Sequence, residues 1–445
     1  MLGSIEAFRK SFDNKPQVLV EVIDDLLDRA GDPLFSEAVF TTLYSDRAGI
    51  QARMLASLAE RGLQCGALGG VPITIKDLFD VAGEVTLAGS KVLSDGRKAA
   101  KDAIAVERVR QAGAIVIGKT NMTEFAYSAL GINPHYGTPV NPWRKDEHRI
   151  PGGSSSGAAI SVANGTALAA LGTDTGGSVR IPAAMCGVVG FKPTASTVSR
   201  EGTVPLSITF DSVGPLARTV DCCARVYEAL SGVATGPAIH PGHLSLLLPT
   251  NYVQEGMDAT VDDVFGRAVQ KLVANGVRVL PTPLPLLDSI PDLFRNGGIT
   301  AIEAYAWHKD FVASRAAEYD PLVLSRILLG RDRTGAEYIE LLNQRRALVE
   351  AAHQALRGWS AVIMPTVPII PPRLSDLASP ERYHEINRLL LRNPTIANLL
   401  DLCSISLPCH QAGEAPVGLM LMGETGRDSD LLSVARSVEQ IVSTT

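Results

Sequence analysis

Two glycine-rich turns constrain this chain of 445 residues more than any other feature. The first is Gly152-Gly153-Ser154-Ser155-Ser156-Gly157. The second is Gly172-Thr173-Asp174-Thr175-Gly176-Gly177-Ser178-Val179-Arg180. The first predicts a helix over 158–164, closed by Gly165 in the left-handed cap position. The second ends an apolar strand over 167–171 and opens a helix near Ser178. Pro182 falls near that helix's start, where little intrahelical bonding is lost. A glycine pair ahead of a helix exposes successive N–H groups, which form an anion cradle with the positive end of the helix dipole. A hydroxyl placed there can attack a carbonyl while the N–H groups hold the oxyanion. Flexible Gly/Ser linkers, the plainer reading, are not followed twice in quick succession by patterned apolar elements.

The rest of the chain alternates strand and helix. Val71, Ile73 and Ile75 alternate with Pro72, Thr74 and Lys76, so Lys76 leaves this strand on the face opposite the isoleucines. A helix over 102–111 and a strand over 114–117 follow. Further strands are expected over 244–248, 277–280, 361–364, 404–407 and 417–422, with helices over 261–275, 337–356 and 431–441. Residues 292–333 read as helical and carry Tyr305, Trp307, Phe311 and Tyr319. Residues 1–65 read as a helical, peripheral segment packed on a core of 66–445, with no linker between them, so one continuous domain is expected. Such alternation implies an α/β sheet covered on both faces.

Several function classes are disfavoured. A net charge of −6 argues against nucleic acid as a partner, because phosphate binding wants a basic face. The six cysteines lack CxxC spacing and read as reduced thiols of a cytoplasmic protein. No signal-peptide core and no long apolar run is present, so a membrane span is not expected. His240 and His243 have HxxH spacing, but the intervening Pro241-Gly242 places them in a loop, a poor metal site. Gly113-Ala114-Ile115-Val116-Ile117-Gly118-Lys119-Thr120 satisfies the P-loop pattern. Its Ala-Ile-Val-Ile insert wants to be the strand itself, where a P-loop needs a pliable turn. Gly153-Ser154-Ser155-Ser156-Gly157 satisfies the nucleophile-elbow pattern with Ser155 at its centre, yet a polar, Pro-ended stretch precedes it where a buried strand is required.

The run from Pro151 to Thr194, ending Cys186-Gly187-Val188-Val189-Gly190-Phe191-Lys192-Pro193-Thr194, resembles the core of the amidase signature family. Gly69-Gly70-Val71-Pro72-Ile73-Thr74-Ile75-Lys76-Asp77, Gly118-Lys119-Thr120-Asn121-Met122-Thr123-Glu124-Phe125 and Pro416-Val417-Gly418-Leu419 fit the same family. The match is specific over 66–220 and loose over 235–360. It implies a single large mixed sheet, mostly parallel in type, wrapped by helices on both faces. It implies Ser178 as nucleophile, Ser154 as a bridging serine after a cis peptide bond, and Lys76 as base. Backbone N–H groups of Thr175, Gly176, Gly177 and Ser178 would form the oxyanion hole. Arg180 is expected to anchor the turn rather than touch substrate. The implied reaction is hydrolysis of a small carboxamide through an acyl-enzyme, without cofactor or metal. Homodimers are common in the family, though nothing in the sequence establishes one.

The residue types suit this chemistry. A serine hydroxyl needs a neighbour to take its proton. A lysine can do so only when neutral, and at a reference pKa of about 10.4 roughly one in 2500 is neutral at pH 7. Burial lowers that pKa, so Lys76 is expected to be buried and bonded to Ser154. Two other readings share the motifs. One is the glutaminase subunit of a tRNA amidotransferase, disfavoured because such subunits more usually carry Asp at position 123 and Met at 127. The other is a non-catalytic scaffold, disfavoured by the intact Lys76, Ser154 and Ser178.

Overall fold

A computed structural model describes residues 3–443. Its strands are β1 (Phe40–Leu43), β2 (Pro72–Lys76), β3 (Ile115–Thr120), β4 (Ala169–Asp174), β5 (Val189–Lys192) and β6 (Ser212–Ala217). They continue with β7 (Ser245–Pro249), β8 (Arg278–Thr282), β9 (Ala361–Pro365), β10 (Cys403–Pro408) and β11 (Gly418–Gly423). All eleven join one sheet in the order β1-β3-β2-β4-β6-β5-β10-β11-β9-β7-β8.

The sheet is mixed, as expected, but the parallel majority is not observed. β2–β3, β2–β4, β7–β8 and β7–β9 run parallel. β1–β3, β10–β11, β10–β5, β11–β9, β4–β6 and β5–β6 run antiparallel. The reason lies in the connections. Residues 193–211 and 409–417 contain no helix, so they return the chain beside the strand it has just left, without the crossover that parallel neighbours require.

Both faces of the sheet are covered. Every residue of β2, β3, β4 and β6 is buried, as strands sandwiched between helices must be. Ala169 and Leu171 of β4 share a core with Ile73, Ile75, Val106 and Val109. Ala170, between them, faces a second core with Ala158, Val162, Val179 and Ala183. The helix Ser156–Ala163 is built of small residues and is almost wholly buried against this second face.

The segment 1–65 contains the expected helices, Ile5–Asn14, Val18–Gly31 and Ser45–Glu60. It is less peripheral than expected. Ile5, Phe8, Phe12, Leu19 and Ile23 join the main core, and β1 extends the sheet beyond β3. The stretch 292–333 is not one helical run. It divides into Gly298–Arg315 and Pro321–Leu328 after the short turn Ile290–Leu293. Gly297 and Gly298 take positive φ at the first break. Asp320 accepts from the Leu322 N–H and starts the second helix with Pro321 at its first position. No helix among the described residues is long and apolar enough to cross a membrane.

Gly190 sets how closely the site helix approaches the sheet. A Cβ there would lie 2.7 Å from the Val179 carbonyl oxygen and 2.7 Å from the Ala183 side chain. Gly190→Val should push β5 away from the helix Arg180–Cys186 and lower stability by about 1–3 kcal/mol or more. Urea denaturation of the two proteins checks this.

Candidate active site

β2 delivers Lys76 into the sheet's second face. Thr74, two residues earlier, bonds the Ser161 hydroxyl at 2.9 Å, so this face of β2 looks at the helix Ser156–Ala163. Lys76 follows on the same face and is fully buried. Its Nζ donates to Ser154 Oγ at 2.7 Å and to Thr173 Oγ1 at 3.0 Å. Burial lowers its pKa to about 7, against the opposing pull of Asp174 and Asp211. Thr173 is a partner that the motifs did not suggest. It sits on β4, beside β2 in the sheet.

Ser154 follows a cis peptide bond from Gly153. Its carbonyl accepts from the Thr123 N–H at 3.1 Å. Ser155, the centre of the elbow pattern, is buried and turns its hydroxyl to the Thr173 carbonyl at 3.4 Å. No strand runs into it, since residues 150–153 are irregular. The P-loop pattern is likewise structural. Lys119 lies within β3 and forms a buried ion pair with Asp77 at 2.6 Å.

Asp174 shapes the second turn. Its carboxylate accepts from the N–H groups of Gly177 at 2.8 Å and Val179 at 3.1 Å. It also pairs with the buried Arg180 guanidinium at 2.8 Å and takes the Asn398 amide at 2.9 Å. Burial alone would raise this carboxyl. The charge and hydrogen bonds of Arg180, with Lys192 and Asn398, outweigh burial and hold it well below the usual carboxylate range. Arg180 is therefore an internal anchor, as expected.

Ser178 is nearly buried, at 4% exposure. Its carbonyl accepts from the Ser155 N–H at 3.1 Å, which ties the two turns together. Its hydroxyl makes no hydrogen bond among the described residues, so the Ser154–Ser178 hydroxyl contact of the expected relay is not formed in this structure. The expected oxyanion donors also need one correction. The Gly177 N–H is committed to Asp174 and cannot serve a ligand in this geometry. The N–H groups of Thr175, Gly176 and Ser178 have no acceptor among the described residues. Thr175 is steadied by its hydroxyl, which donates to Asp211 at 2.5 Å. Burial raises Asp211 to about 6, resisted by the hydrogen bonds from Thr175, Leu206 and Ser207.

A loop after β3 bonds the Gly153-Ser154 backbone through Thr123 and Ala129, and the aromatic stretch packs on that loop. Phe125 lies 5.9 Å from Trp307 and 5.4 Å from Tyr319 between ring centres. Phe125 and Ala126 both take positive φ, an uncommon conformation for side-chain-bearing residues.

The arrangement sets a buried amine that is half charged near pH 7, the Ser154 hydroxyl and unclaimed backbone donors on two turns joined by the Ser155 N–H and the Ser178 carbonyl. Comparison with known proteins agrees with that chemistry. The family model described as Amidase matches residues 21–432. A 2-amino-5-chloromuconic acid deaminase from Comamonas testosteroni is 37% identical, over 89% of this chain and 87% of its own. The glutamyl-tRNA(Gln) amidotransferase of Symbiobacterium thermophilum has an A-type subunit that is 32% identical, over 95% of this chain and 93% of its own. A crystal structure of an amidase superposes with a TM-score of 0.89 at 31% identity, covering 99% of this chain and all of that one. The chain belongs to the amidase family, whose enzymes hydrolyse carbon–nitrogen bonds.

Proposed function

We propose that this enzyme cleaves the C–N bond of a small carboxamide or related acyl compound through an acyl-enzyme on Ser178. The observation that carries the proposal is the buried Lys76, 2.7 Å from Ser154 Oγ. With a pKa of about 7, roughly half of this amine is neutral at neutral pH. The relay requires the Ser178 hydroxyl to turn towards Ser154. The proton of Ser178 passes to Ser154 while the proton of Ser154 passes to Lys76. The Ser178 oxygen then bonds the substrate carbonyl carbon, and the negative charge moves to the carbonyl oxygen. Thr175, Gly176 and Ser178 offer their N–H groups to it. Reversing the relay delivers the proton to the leaving nitrogen as the C–N bond breaks. Water then attacks the acyl ester by the same path and frees Ser178.

Simple aryl and alkyl amides, whose nitrogen sits on an acyl carbon, are the first compounds to try. The Comamonas relative's name points to an amino group on a vinylic carbon, so cleavage of a 2-aminomuconic acid would run through attack at an imine carbon and not through an acyl-enzyme. The catalytic unit is the continuous chain, with residues 1–65 as its packed flank. The six cysteines are unpaired, which suits a reducing cytoplasm, and a homodimer is the expected working form. Similarity to the amidotransferase relative supports a second reading, ammonia release from glutamine for a companion protein. Glutamine hydrolysis by the purified chain, with none of the other compounds cleaved, would favour it.

Ser178→Ala should remove turnover and fluorophosphonate labelling while leaving the fold intact. Labelling that persists, or maps to Ser155, overturns the assignment. Wild-type kcat/KM should rise as pH passes about 7 and Lys76 loses its proton. Stability follows the same group. The unfolded lysine stays protonated to about 10.4, so between pH 7 and that value the unfolded state binds more protons, and stability rises with pH. Below pH 7 the cost of burying the ammonium is felt in full. Lys76→Met should therefore be inactive yet more stable than wild type at pH 6, on the order of 1–4 kcal/mol. The gain should shrink towards pH 10, as followed by denaturant titration.

A further inference from the structure

We infer that Asn387 is a positioning residue for Ser154, acting through the loop that follows β3. The inference rests on the roles proposed above for Ser154 and Ser178. Asn387 lies on the helix Pro380–Leu391 and is fully buried. Its Oδ1 accepts from the Ala129 N–H at 2.8 Å and from the Ser128 hydroxyl at 3.0 Å. A backbone N–H can only donate, so the amide oxygen must be the atom that faces it. The Asn387 Nδ2, by contrast, has no hydrogen-bond partner among the described residues. Burying an unpaired donor is unfavourable. An apolar side chain would avoid it, so the residue is explained by its oxygen.

That oxygen holds a clamp on the catalytic turn. The Ala129 carbonyl accepts from the Gly153 N–H at 2.7 Å, and the Thr123 N–H donates to the Ser154 carbonyl at 3.1 Å. The loop thus grips the Gly153-Ser154 dipeptide from both ends. It does so without slack. A Cβ on Gly153 would lie 2.6 Å from the Gly131 nitrogen and 2.8 Å from Thr123 Oγ1, and one on Gly131 would lie 2.3 Å from the Gly152 oxygen. A shift of residues 128–131 must therefore move Gly153, and with it the Ser154 hydroxyl that Lys76 meets at 2.7 Å. Asn387 touches neither serine. It fixes the path of the loop that does.

The test compares Asn387→Leu, which keeps the shape and removes the oxygen, with Asn387→Asp, which keeps an acceptor oxygen facing Ala129 in either protonation state. The readouts are the rate of fluorophosphonate labelling at Ser178 across pH, and kcat and KM for a cleaved amide, both corrected for folded fraction. Asn387→Leu should label roughly 10–100-fold more slowly, since a small misplacement of a reacting group costs up to about 10²-fold. The loss should fall on kcat, leave KM little changed and shift the midpoint of the pH profile. Asn387→Asp should recover most of the rate. Should the leucine variant fail to fold, Asn387→Ala replaces it under the same criteria. Wild-type labelling rates in the leucine or alanine variant, a loss confined to KM, or an aspartate variant as slow as leucine would each overturn the inference. Absence of wild-type labelling at Ser178 would instead overturn the nucleophile assignment, and this inference with it.

Discussion

A single buried carboxylate gives the turn that carries Ser178 its shape. Asp174 ends β4 and gathers the Gly177 and Val179 N–H groups, the Arg180 guanidinium and the Asn398 amide. Five polar groups meet with no water-facing surface, because both charges of the Asp174–Arg180 pair are fully buried. Such a pair adds little net stability over an apolar alternative, but removing one member strands the other in a medium that cannot solvate it. Its value here is geometric. The carboxylate holds the backbone of the turn, while the Thr175, Gly176 and Ser178 N–H groups are left without an acceptor among the described residues.

The same carboxylate works against Lys76. Asp174 and Asp211 both favour the ammonium, and burial still wins, leaving the amine half charged at about pH 7. Asp174 thus anchors the turn through Arg180 and also acts on the charge of Lys76.

Much of this is legible in the chain, and the part that is not has a physical cause. Alternation in Val71-Pro72-Ile73-Thr74-Ile75-Lys76 sets the face of Lys76 because strand periodicity is local. The false P-loop and the false elbow both fail on local propensity, and the structure agrees. Thr173 as a second partner of Lys76 emerges only once β2 and β4 are known to be neighbours. The Gly177 N–H reads as a ligand donor because glycine pattern alone does not say where an N–H points. An aspartate three residues ahead of a backbone N–H is a capping signal, and it is the available clue. Strand direction escapes for a similar reason. An α/β rhythm reveals which elements exist, whereas parallel or antiparallel pairing depends on connections such as 193–211, which carry no period. Asn387 and Asn398 lie outside any motif, so nothing local marks them.

The second turn is braced from far along the chain: Thr395 bonds Gly176 and Asn398 bonds Asp174, 219 and 224 residues further on. β5 pairs with β10 as well as β6, so the sheet beneath the turn is also open until then. During synthesis the first half can emerge and collapse with Asp174 and Arg180 only partly enclosed. A chain folded only as far as β6 therefore holds Asp174 and Arg180 without the Asn398 amide that bonds both of them.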